Sequence, residues 1–315
     1  MRPKSGGRFL LATAMLFASS VVLAGQAGNP HVHLDPSLIV ALADVPEEIR
    51  NSVMTREPLV ARFSRGPYEV DFVAAAHETG PGPTYSLIER CFSRLQPRAV
   101  VREGLSYASG PAPPSRAAEI KREGGPRSEA DKAVSLALEH GLPAYGGEPT
   151  EDQKLKAALD QGYSSEEFIS LEFLSMAGYY VRVGQWKPER ASEVFSEVSA
   201  WFEPKTGSAP FDYSNFLDLY KEKSGRPFDP TDESDLLAGP DPRGKHWQRI
   251  GHAVDMSRNR FLTEVLSKLL RRHKRVLVVY GNGHLAVQWR ALVAALGQPI
   301  YLGALTESHN QDIER

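Results

Sequence analysis

Arg275-Val276-Leu277-Val278-Val279-Tyr280-Gly281-Asn282-Gly283-His284 is the stretch on which the reading of the fold turns. A short apolar run rich in valine, begun by a charged residue and ended by glycine, reads as a buried strand. Gly281 and Gly283 around Asn282 allow a tight strand-to-helix turn, because glycine tolerates dihedrals other residues avoid. A helix then continues through Leu296. His284 falls in its first turn, beside backbone N–H groups that have no partner within the helix.

The same alternation appears upstream. Residues 68–76 form a strand that becomes fully apolar towards its end, and 83–95 a helix with Leu87, Ile88, Cys91, Phe92 and Leu95 on one face. Residues 98–103 are a second strand. A helix over 128–140 ends at Gly141, a C-cap residue, and 142–146 are a third strand. From 151 to about 220 the pattern is helical. Residues 224–245 are a Pro/Asp/Gly-rich connection expected to be a mobile loop, and a long helix covers 245–273. Residues 300–302 are a short last strand. Strands alternating with amphipathic helices need crossover connections. The expected fold is therefore α/β, a mostly parallel central sheet flanked by helices, with a helical insertion over about 151–245. Residues 25–66, with Pro30, Pro36, Pro46 and Pro58 and no sustained period, read as a loop-like extended segment ahead of a single domain over 67–315.

The N-terminus reads as an export signal. Arg2, Lys4 and Arg8 precede an uncharged stretch from Phe9 to Leu23. At about 15 residues this suits a signal peptide and is short for a bilayer-crossing helix. Val22-Leu23-Ala24 offers small residues for cleavage after Ala24, with Ala27 as the second choice. The expected product is periplasmic or secreted, with no stable membrane anchor after cleavage; an uncleaved anchor is the alternative. Losing those three positive charges takes the net charge from −2 to about −5, a balance that argues against nucleic-acid binding. Cys91 is the one cysteine, so no internal disulfide forms. Its apolar setting predicts a buried small hydrophobe.

In open α/β sheets ligands bind beyond the carboxyl ends of the strands. His77, Glu103, Glu148 and His284 fall at such ends. Singly, each reads as a surface histidine, a cap or a solvated carboxylate. Together, two imidazoles and two carboxylates are what a Zn²⁺ or Mn²⁺ ion requires, provided they meet across the sheet. Arg258-Asn259-Arg260 lies mid-helix, where the ordinary reading is a solvated face. His246, His252 and His273 have no evident partners, and Trp186, Trp201, Trp247 and Trp289 read as packing residues. There is no phosphate loop, nucleophile elbow or His-Glu-x-x-His helix, which disfavours a serine nucleophile.

In order and spacing, strand-His77-Glu78, Val100-Val101-Arg102-Glu103-Gly104, Tyr145-Gly146-Gly147-Glu148, Arg258-Asn259-Arg260-Phe261-Leu262 and Tyr280-Gly281-Asn282-Gly283-His284-Leu285 resemble the landmarks of TraB/GumN-type proteins. That group is similar to Tiki-type metalloproteases, erythromycin esterases and ChaN-like haem-binding proteins, and the resemblance spans roughly 68–296. It implies two Gly-x-x-His motifs and an acidic position. His284 matches with Gly281 as its glycine, while His77 matches with Ala74 where glycine is expected. The resemblance implies a metal-dependent hydrolase of peptide or ester bonds acting on a small molecule or peptide. His77, Glu103 and His284 would hold the ion, Glu78 or Glu148 would be the general base, and Arg258 and Asn259 would stabilise negative charge. A metal-free version uses His77 with Glu78 or Glu103 to activate water. A periplasmic carrier of a haem-like ligand, or an inactive homologue, is the non-enzymatic alternative, favoured by Ala74.

Overall fold

The computed structural model describes residues 32–302 except 56, 78–79 and 207–210, with backbone alone over 203–206. The expected signal segment and Glu78 lie outside the described residues. Strand β5 (Arg275–Gly281) pairs in parallel with β2 (Tyr68–Ala75) on one side and β3 (Ala99–Ser106) on the other. Beyond β3 lies β4 (Ala144–Glu148), also parallel. Beyond β2 lies β1 (Leu59–Arg65), antiparallel, followed by β6 (Ile300–Tyr301). The order β4-β3-β5-β2-β1-β6 makes a mostly parallel sheet with an antiparallel edge.

Alternation along β5 separates two apolar layers. Val278 and Tyr280 face α10 (His246–His273) and α11 (Asn282–Leu296), meeting Leu262, Leu266, Leu285 and Leu292. Leu277 and Val279 face α2 (Pro83–Leu95), α3 (Ser115–Arg122) and α4 (Glu129–Glu139), meeting Leu87, Cys91, Ile120 and Val134. Both faces are covered, which is why β5 is a continuous apolar run. Cys91 is fully buried, as its surroundings in the sequence suggested.

The inserted segment builds a third core of its own. It comprises α5 (Glu151–Asp160), α6 (Ser165–Arg182), α7 (Ala191–Thr206), α8 (Tyr213–Ser224) and α9 (Glu233–Leu236). Ser164 with Glu167 and Thr150 with Gln153 form capping boxes that start α6 and α5. Phe173 sits among the rings of Trp186, Phe195, Tyr213, Phe216 and Phe228. Trp247, Ile250 and Val254, from the first half of α10, close this core, while the second half of α10 packs on the sheet.

Several expectations need correction. Residues 25–66 are not uniformly loop-like: α1 (Glu47–Val53) and β1 lie within them, and Leu34, Val53, Val60 and Phe63 are buried. The proline spacing hid β1, which runs between Pro58 and the Gly66-Pro67 turn. The 224–245 connection holds α9, whose Leu236 is buried and whose Asp235 binds Tyr220 and Arg226. Trp201 is 54% exposed rather than a packing residue. Strand β4 starts two residues later than expected and ends on Glu148, not before it.

Phe173→Ala removes the centre of the aromatic core and should cost about 3–5 kcal/mol. Trp201→Ala should stay within about 0.5 kcal/mol. Urea denaturation followed by circular dichroism reads both, and equal losses would refute this placement of the core.

Candidate functional site

Gly281 is the meeting point. It ends β5 and caps α11, and its N–H donates to Glu103 Oε2 at 3.0 Å. A Cβ at this position would lie 2.4 Å from His77 Nε2, so the imidazole rests on the glycine itself. Ala75 is paired with Gly281. The chain two residues further on therefore has to curl back, and His77 takes φ +58°. A non-glycine residue in that region stores on the order of 1–3 kcal/mol of strain, the kind of outlier that clusters at functional sites. His77 is exposed to solvent.

Behind Gly281 the polar groups are tightly linked. Arg258 donates from Nε and Nη2 to the two oxygens of Glu148, both at 2.8 Å, and from Nη2 to Glu103 Oε1 at 3.2 Å. His284 Nε2 faces Glu103 Oε1 at 3.4 Å, and its Nδ1 lies 2.8 Å from Asn259 Oδ1. Asn259 Nδ2 donates to the backbone oxygen and a carboxylate oxygen of Asp255 at 2.9 and 3.0 Å. That fixes Oδ1 as an acceptor and puts a proton on His284 Nδ1. Glu148 and Asn259 are buried, while the side chains of Arg258 and Glu103 are about a quarter exposed, at 25% and 24%. The Tyr280 hydroxyl reaches this cluster because Gly147 has no side chain: a Cβ there would lie 2.2 Å from it.

Burial works to raise the Glu103 carboxyl. His284, by charge and hydrogen bond, and then Arg258 and His77 outweigh it and hold that carboxyl well below the usual range. At Glu148, Arg258 similarly overcomes burial and lowers the carboxyl. Burial pulls His284 down, but Glu103 and Asp255 raise it, favouring the imidazolium. Glu103 and Glu148 are thus weak proton acceptors, and His284 has acceptors facing both nitrogens.

Of the residues expected to act, His77, Glu103, Glu148, Arg258, Asn259 and His284 converge on this strand end. Arg258 and Asn259 face inward, which corrects the solvated-face reading of that helix segment. Glu148 is clamped by Arg258 at both oxygens, so it is not placed as a base. His77, Glu103 and His284 gather at Gly281, yet their donors do not make a metal shell. Both Glu103 oxygens are already engaged, one of them by a guanidinium that would repel a cation. Among the described residues no three His, Cys, Asp or Glu side chains form a metal-binding group. His246 has a partner after all, Glu167 Oε1 at 2.8 Å, and His273 meets the Tyr145 hydroxyl at 3.2 Å.

Sequence reasoning missed Asp255, Tyr280 and Gly147. Asp255 was findable, since three- and four-residue spacing puts it on one helix face with Arg258 and Asn259. Tyr280 gave no signal, because its ring belongs to the apolar run. Comparison with known protein families, with curated proteins and with solved structures finds no match to this chain.

The stability supplied by Glu103 and Glu148 is present above the ordinary carboxylate value of 4.5 and lost as pH falls through their depressed values. That supplied by His284 is present below 6.5 and lost as pH rises through its raised value. Arg258→Met removes the charge partner of Glu148 and one of the three groups that hold Glu103, and should cost about 3–5 kcal/mol at pH 7. The loss should shrink at pH 4, where those carboxylates take up protons. Urea titrations at both pH values check this, and the same loss at each would rule out charge pairing as the cause.

Proposed function

We propose that this chain is an exported TraB/GumN-type hydrolase of ester or amide bonds, in which His77 activates water without a bound metal. The observation that carries this is His77 itself: exposed, strained, and laid on Gly281 beside a carboxylate and a second histidine. Glu103 and Glu148 are saturated by Arg258, Gly281 and His284, which leaves His77 as the cluster's accessible base. It takes a proton from water as the oxygen attacks the carbonyl carbon. The imidazolium of His284 and the uncapped amides at the start of α11 favour the negative charge that develops on the carbonyl oxygen. Asn259, Asp255 and Arg258 act through others, holding His284 and Glu103 in place. The arginine- and lysine-bearing N-terminus, its apolar run and Ala24 support the export assignment.

The test is hydrolysis of p-nitrophenyl acetate by the purified mature protein before and after chelation. Wild type should be active and indifferent to chelator, and His77→Ala should lower kcat/KM by about 10²–10⁴ with an unchanged denaturation midpoint. Activity lost to chelator and restored by Zn²⁺ or Mn²⁺ would instead establish the metal-dependent reading. No hydrolysis, with a Soret band on adding haemin, would establish the carrier.

A further inference from the structure

Arg102 precedes Glu103 in the chain and points to the opposite face of the sheet. Along β3, Val101 faces α10 and α11, while Val100 faces α2, α3 and α4. Arg102 is paired with Val279, which also faces α2, α3 and α4, and so shares that side. Gly281, two residues beyond Val279, returns to the same face, and a Cβ there would meet the His77 ring. His77 and Arg102 therefore stand on one side of the sheet, at the ends of neighbouring strands. Strand spacing and rise put the α carbons of Arg102 and Gly281 about 8 Å apart.

The guanidinium turns towards the strand end. Its Nη1 donates to the Glu103 backbone oxygen at 3.3 Å and lies 4.0 Å from the point where Gly104 would carry a Cβ. Among the described residues beyond the two chain neighbours, no other atom comes within 4 Å of that point, so open space adjoins the guanidinium beside the exposed Gly104. Arg102 Nε is buried and meets no acceptor among the described residues. The acid that acts on this arginine, Asp131, is already paired with Arg116 at 3.4 Å. Burial disfavours the charge on Arg102 and lowers it from its ordinary value, with Arg116 adding to that and Asp131 opposing it. A buried donor left without an acceptor costs free energy that an anionic ligand at this strand end would recover.

Resting on the hydrolase reading above, we propose that Arg102 selects substrates whose acyl chain ends in a carboxylate. The planar fork of an arginine matches the two oxygens of a carboxylate, and its distance from Gly281 is that of a short acyl chain. With the carboxylate on Arg102, the carbonyl carbon lies at Gly281, where His77 takes the proton from the attacking water. Arg102 itself gains and loses no proton. Its effect is on which esters or amides are cleaved.

Mono-p-nitrophenyl adipate and p-nitrophenyl hexanoate differ only in carrying a carboxylate or a methyl at the end of the acyl chain. Their kcat/KM values would be compared in wild type, Arg102→Gln and Arg102→Lys, with circular dichroism as the check on folding. Arg102→Gln should lower the adipate-to-hexanoate ratio about 10-fold or more while leaving hexanoate hydrolysis unchanged, and Arg102→Lys should recover part of the ratio. On wild type alone, free adipate should inhibit hydrolysis of the hexanoate ester about 10-fold more strongly than free hexanoate does. An unchanged ratio in Arg102→Gln, equal loss on both esters, or equal inhibition by the two acids overturns the role of Arg102 and leaves the hydrolase reading standing. Hydrolysis of neither ester by wild type overturns the hydrolase reading and this inference with it.

Discussion

The guanidinium of Arg258 lies between Glu148 and Glu103, and the architecture around it depends on that contact. Two carboxylates from adjacent parallel strands, Glu103 within β3 and Glu148 at the end of β4, would repel in a poorly solvated setting. A single planar cation with several donors satisfies both at once, at 2.8 and 3.2 Å. Its position follows from α10, whose first half belongs to the aromatic core of the insertion and whose second half belongs to the sheet. Arg258 stands where the helix passes from one core to the other. The ion pairs therefore fasten the helical layer to the sheet end as well as balancing charge.

This arrangement divides the labour among residues of similar chemical type. The inner groups are buried or partly buried, charge-matched and hydrogen-bonded, so they hold geometry and do not exchange protons readily. His77 stands apart in exposure and in backbone conformation. Gly281 mediates between the two sets: one face carries the imidazole, and its N–H carries Glu103. Any side chain at 281 would push these groups apart, which gives that glycine a steric reason separate from the turn it makes.

Much of the architecture was readable from the residues. The runs at 68–76 and 275–280 correspond closely to β2 and β5, and Pro83–Leu95 forms the helix its apolar face implied. Those segments are legible because burial on one or both faces imposes a pattern on the chain itself. Strand β1 was not, since the prolines that flank it, Pro58 and Pro67, resemble those of a loop until β2 is present to pair with it. The candidate site was legible as a set of strand-end residues, but not as a network. That Arg258 faces inward, and that Glu148 is clamped, depends on where α10 crosses the sheet, which no local pattern records.

The sheet order has a consequence for how the protein comes into being. The two strands that lead into His77 and His284, β2 and β5, lie side by side, yet about two hundred residues of chain separate them, including the entire helical insertion. During synthesis His77 emerges early and has no Gly281 to rest on. The insertion can gather its own aromatic core while β2 still lacks its central neighbour. Only when the valine run of β5 slots between β2 and β3 do the acidic, basic and imidazole groups find one another. A chain shortened before β5 therefore lacks the strand that joins β2 to β3, and its acidic, basic and imidazole groups stay apart.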